Sequence, residues 1–126
     1  MTVYLDLEDA LEQIAFLGFR VKDIGLLDSA LARPKTSLFG EDAYPDLSTK
    51  AAAMMHSLIK NRPLMDGNKR TGWLLFVSFI AANGYLHDMT SDEAFDMTIG
   101  LATDALTLEM AAKIIKSHLV PRPGAF

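Results

Sequence analysis

Apolar residues return along this chain at three- and four-residue intervals, the spacing of one helix face, and no stretch alternates like a half-buried strand. Asp6 stands where an N-cap belongs, and Leu7, Leu11, Ile14, Ala15 and Leu17 predict a first helix to about Gly18. A second is expected from near Ile24 to just before Pro34, with Leu26, Leu27, Ala30 and Leu31 facing inward. The 13 residues from Arg33 to Pro45, RPKTSLFGEDAYP, hold two prolines and a glycine and read as a loop long enough to have a task.

Asp46 or Ser48 caps a third predicted helix through Ala51, Ala52, Met55, Leu58 and Ile59, ending near Asn61 because Pro63 pushes its predecessor out of helical geometry. A fourth runs from about Asn68 to Asn83, with Gly84 as a left-handed C-cap. Trp73, Leu74, Leu75, Phe76, Val77, Phe79 and Ile80 leave it no polar face, so it is expected at the centre of the core with neighbours all round. A fifth opens at Thr90 or Ser91, where Thr90 and Glu93 have capping-box spacing, and a sixth runs from Thr107 to just before Pro121. PRPGAF at the end reads as a frayed tail. There is no internal repeat. The expectation is an all-α, single-domain bundle over residues 1–126, built around the apolar helix at about 68–83.

Composition narrows the function. Half of the residues are apolar, as in ordinary globular domains, and cysteine is absent, which removes disulfides and thiolate metal sites. The N-terminal stretch is acidic where a signal peptide would be basic and then apolar, so the expected location is the cytosol. The apolar run from Gly72 to Ala82 covers about half a bilayer and predicts a buried helix, not a membrane span. A net charge of −4 conceals an island: Lys60, Arg62, Lys69 and Arg70 against Asp66 give +3, leaving −7 elsewhere. An island of that size suits a localised anion and is too narrow for direct nucleic-acid binding.

The island brackets Arg62-Pro63-Leu64-Met65-Asp66-Gly67-Asn68-Lys69-Arg70-Thr71, a turn entering the fourth helix. The first N–H groups of a helix lack internal partners and carry about half a positive charge, so such a mouth binds phosphate. Gly67 would allow close backbone approach, and Lys69 and Arg70 add two charges. Asp66 would repel an anion unless it holds Mg²⁺. The plainer alternative is an N-cap, a turn glycine and a solvated first turn. Cations in a first turn are disfavoured by the dipole by roughly 0.3–1 kcal/mol each, which tilts the balance toward a bound anion.

RPLMDGNKRT resembles the signature of the Fic/Doc family, whose Doc branch reads roughly His-x-Phe-x-Asp/Asn-Gly/Ala-Asn-Lys-Arg. GLLDSALARP, AYPDLSTKAAAMMHSL and FIAANGY extend the likeness to the death-on-curing toxins of bacterial toxin–antitoxin pairs. The resemblance implies an all-helical fold with the signature loop at its centre. Fic proteins typically transfer AMP from ATP to a hydroxyl. The Doc branch, with lysine where AMP-transferring members have a second glycine, binds ATP reversed, phosphorylates a threonine of elongation factor Tu and arrests translation. Lys69 stands at that discriminating place. By the same resemblance Asp66 would hold Mg²⁺, while Gly67, Asn68, Lys69 and Arg70 would cradle the phosphates of ATP. The 33–45 loop would be a flap positioning the target chain, and an antitoxin would lay a helical segment across the site.

One departure bears on activity. The family's histidine, the general base for the target hydroxyl, falls at Arg62, and arginine has no lone pair with which to take a proton. Losing a general base costs about 10²–10⁴-fold, so the chain is expected to be inactive or impaired. The intact loop around Arg62 favours an inactivated toxin over a long-decayed site. An AMP-transferring enzyme and a non-catalytic antitoxin-binding module are the alternatives. Leu64 for phenylalanine is a milder change. His56, His87 and His118 lack zinc-site spacing, and His56 is expected in an ordinary inter-helix hydrogen bond. Asp28, Glu41 and Asp42 are expected as solvated charges.

Overall fold

A computed structural model describes residues 1–126. Six helices form, α1 (Leu7–Phe16), α2 (Ile24–Ala32), α3 (Leu47–Asn61), α4 (Asn68–Ala82), α5 (Ser91–Ala102) and α6 (Leu108–His118). Their starts follow from local chemistry. Asp6, Asp23, Asp46, Thr90 and Thr107 each accept a hydrogen bond from the N–H three residues on, and Asp46–Thr49 and Thr90–Glu93 form reciprocal boxes. Asp46 is thus the cap of α3, and Ser48 only supports it through a 3.0 Å bond to its carboxylate.

Four short strands depart from the helical expectation. In the 33–45 segment a 3-10 turn (Arg33–Lys35) leads into a hairpin of β1 (Ser37–Leu38) and β2 (Glu41–Asp42), turned by Phe39 and Gly40 in left-handed geometry. Two-residue strands are too short to show alternation. β3 (Tyr85–His87) pairs with β4 (Leu119–Pro121), an antiparallel ribbon between segments far apart in sequence. The C-terminal tail is therefore docked rather than frayed: Arg122 N donates to Gly84 O at 2.8 Å, and the Phe126 ring lies 5.4 Å from Tyr85.

The centre of the molecule is shared by two helices, and α3 has the larger part. It packs on α2, α4, α5 and α6, and it buries ten residues from Ser48 to Ile59. The run Ala51–Ala53 lets neighbours approach, and Met54, Met55 and Leu58 fill the space beyond. α4 buries Thr71, Gly72, Leu75, Phe76, Phe79 and Ile80, but Trp73, Leu74, Val77 and Ser78 are only half-buried, so it is not enclosed on every side. Each large side chain fully buried here contributes about 1.5–3 kcal/mol. α3 and α4 cross tightly, since a Cβ at Gly72 would stand 3.0 Å from the Ile59 side chain. That crossing fixes the end of α3 beside the beginning of α4. No helix is long and apolar enough to cross a membrane.

Candidate active site

The chain leaves α3 through Arg62, whose backbone (φ 52°, ψ 61°) is left-handed, and enters α4 through Gly67 at φ 76°. The loop between them is held from both sides. Within it, the Asn68 carboxamide accepts from Leu64 N at 2.9 Å and donates to Leu64 O at 3.1 Å. From outside, residues 20–23 run against it: Lys22 N and Asp23 N donate to Pro63 O, Met65 N donates to Arg20 O, and Val21 bridges Leu64.

Two residues of the motif therefore act differently from the plain phosphate-cradle expectation. The side chain of Asn68 is buried and spent on closing the loop, leaving its backbone N–H for any ligand. Gly67 is needed for its positive φ and because the Phe19 ring lies where its Cβ would be, at 2.5 Å. A bound anion is not required to explain that glycine.

Most of what remains free faces one cleft. Arg62, Asp66, Gly67, Asn68 and Lys69 line it with Ile59 and Ala102, in a volume of about 270 Å³. Arg62, Asp66, Lys69 and Arg70 are exposed, and none has an ion pair or side-chain hydrogen bond. The N–H groups of Asn68, Lys69 and Arg70 have no backbone acceptor, since the helix ladder starts with Thr71 N to Gly67 O at 2.9 Å. Thr71 Oγ1, one turn in, is 2% exposed as a residue and has no hydrogen-bond partner. Lys60 belongs to the charge island in sequence only, being paired with Asp104 at 2.9 Å. Unanswered cations, free helix N–H groups and a lone carboxylate fit a phosphate with a divalent cation.

A wider groove of about 530 Å³ adjoins the cleft and shares Lys69 with it. Its walls come from Arg70 and Trp73 of α4, His87 and Met89, and Ala94, Phe95, Thr98 and Ile99 of α5. Of these only Lys69 and Arg70 stand out in the sequence motif. Trp73 lies three and four residues beyond them, on the same helix face, and that spacing was the available signal.

His56 lies outside the cleft. Its Nδ1 meets Arg33 Nη1 at 2.9 Å, and burial first, then the Arg33 and Lys60 charges, hold its pKa below the ordinary value. Around it the base of the hairpin is clamped to α3. Arg33 donates to Tyr44 Oη at 3.0 Å and Ser57 Oγ at 2.8 Å. Lys50, 2% exposed, reaches Tyr44 O at 2.6 Å and Asp42 at 3.1 Å. Asp42 is exposed, as are Asp28 and Glu41, and alone of the three it also serves as a structural partner, to Lys50.

The fold and the site define a small helical domain whose loop-to-helix mouth presents one unpaired carboxylate and free cations. The model described as "Fic/DOC family" matches residues 4–80, well over half of the chain, and the protein belongs to that family. The chain is similar to "Toxin Doc" of Mycolicibacterium smegmatis (strain ATCC 700084 / mc(2)155), 46% identical over 121 residues, covering 88% of this chain and 93% of that protein. The likeness to Doc toxins, drawn above from the motif and its flanks, is borne out.

Proposed function

We propose that this protein is the toxin of a toxin–antitoxin pair, built to transfer a phosphoryl group from Mg·ATP to a hydroxyl of elongation factor Tu and so to arrest translation, and inactive or impaired with Arg62 in place. The observation that carries this is the mouth of α4, where Asn68, Lys69 and Arg70 offer unpartnered N–H groups and two free cations beside the unpaired carboxylate of Asp66. Asp66 would hold the Mg²⁺, whose positive charge offsets that of the phosphates. Lys69 and Arg70, with the backbone at Gly67 and Asn68, would fix the phosphoryl group and stabilise charge as it develops there.

The hydroxyl proton is the missing part. The residue at position 62 shares the cleft with Asp66 and Lys69, so a histidine there would have a place from which to accept it. Arginine has no acceptor. His56 offers no substitute, since it is absent from the cleft lining and engaged by Arg33. The clamped hairpin at residues 37–42 is suited to hold the target's chain, and the groove over Lys69, Arg70 and Trp73 is suited to an antitoxin segment that would cover the mouth. The site of action is the cytosol. Lys69 favours phosphoryl over AMP transfer. Arg62 itself supports a second possibility, a module that binds antitoxin without catalysis.

Expression of the Arg62→His variant in bacteria distinguishes these. Growth arrest, with elongation factor Tu gaining the mass of one phosphate, is expected. Arrest with the mass of AMP would assign AMP transfer, and unchanged growth with soluble, folded protein would leave the binding module.

A further inference from the structure

We propose that Arg62 is itself a phosphate ligand, so that this chain holds Mg·ATP more tightly than its histidine counterpart would while lacking the proton acceptor for turnover. The inference rests on the nucleotide site proposed above and concerns what this side chain does there. Arg62 stands in left-handed backbone geometry at the end of α3, a position that aims the chain out of the helix and leaves the residue exposed. It lines the cleft together with Asp66, Gly67, Asn68 and Lys69. No carboxylate or carbonyl of the protein accepts from its guanidinium, although Asp66 lines the same cleft.

A guanidinium with all its donors free is chemically matched to phosphate, which it can grip through two parallel N–H bonds. Charge points the same way. Arg62 and Lys69 in the cleft, with Arg70 on the adjoining groove wall, against Asp66 leave an excess of two positive charges at the mouth of α4, and a neutral histidine at position 62 would halve it. The position that supplies a proton acceptor in a catalytic member thus becomes a third cation for the triphosphate. Binding and turnover are set against each other at one residue.

Titration calorimetry on the full chain with Mg·ATP at pH 8, where an unperturbed imidazole is neutral, tests this. Arg62→Gln and Arg62→His are compared with the parent, with Lys69→Ala as the control for the site and thermal melts to confirm folding. One charge-assisted contact corresponds to roughly tenfold or more in affinity, so both Arg62 variants are expected to bind about tenfold more weakly. The same ratio with inorganic tripolyphosphate is expected, because the contact is to phosphate. Equal dissociation constants for the parent and Arg62→Gln, with Lys69→Ala still weakened, would overturn the role of Arg62 and leave the nucleotide site standing. A ratio seen with ATP and absent with tripolyphosphate would also overturn it. No binding by the parent, at concentrations where it is folded, would remove the site and the inference together.

Discussion

Gly67 makes two demands at once, and they can be separated by substitution. Its left-handed φ penalises any side chain, and the Phe19 ring fills the space of a Cβ. Gly67→Ala is expected to cost about 2–4 kcal/mol, from left-handed strain together with overpacking. Urea unfolding would read it, and adding Phe19→Ala in the alanine background should lower the further cost attributable to the contact, leaving the strain. A loss below about 0.5 kcal/mol would mean that the loop rearranges freely. This residue also marks a limit of what the sequence discloses. A glycine before a helix signals a turn or a close approach, and both meanings suit Gly67, but only the packing of residues 19–23 against the loop identifies what approaches. Asn68 is parallel: the motif suggested a phosphate contact, whereas its amide is engaged twice by Leu64.

Between elements, the connection of interest is the one that pins the 37–42 hairpin to α3. It consists of two cations, Arg33 and Lys50, bonded to the hairpin base and to the tyrosine beside it, while Phe39 at the tip packs on nothing. His56 sits within this clamp as a neutral acceptor for Arg33, and protonating it would set two cations against each other. The sign follows from linkage. With the folded pKa below the unfolded value near 6.5, the unfolded chain takes up the proton first, so stability intact above pH 6.5 declines as pH falls below it and levels off below the folded value. His87 is shifted in the same direction, chiefly by burial. Urea midpoints measured from pH 8 to 5 should therefore fall on acidification, and His56→Gln should flatten the fall in part. An unchanged slope in that variant would show that His56 carries none of it. The hairpin was unreadable beforehand for a definite reason. Strands of two residues have no period, and their pairing depends on contacts from a helix that comes later in the chain.

Over the whole molecule, the helices were legible because five of the six begin at a side chain that caps them, α4 follows a left-handed glycine, and each carries its own apolar spacing. The order of burial was not. α4 is the more uninterruptedly apolar helix, yet α3, with alanines where α4 has aromatics, has the more complete surroundings because small side chains admit neighbours on several sides. Leu58→Ala should accordingly cost about 2–5 kcal/mol, while Leu74→Ala, half-buried on the most apolar segment of the chain, should cost distinctly less. Equal losses in chemical denaturation would place α4 on a par with α3. Likewise the ribbon of β3 and β4 joins residues more than thirty positions apart, beyond any local pattern. One part of this arrangement has a practical sequel. The chain has a single tryptophan, and Trp73 stands in the groove wall next to Lys69 and Arg70, edge-on to His87 at 4.9 Å between ring centres. Its emission therefore arises from one known place, without interference from a second indole. Anything that enters the groove and strips water from that ring will shift the colour and yield of the light, and the protein can be interrogated without a dye.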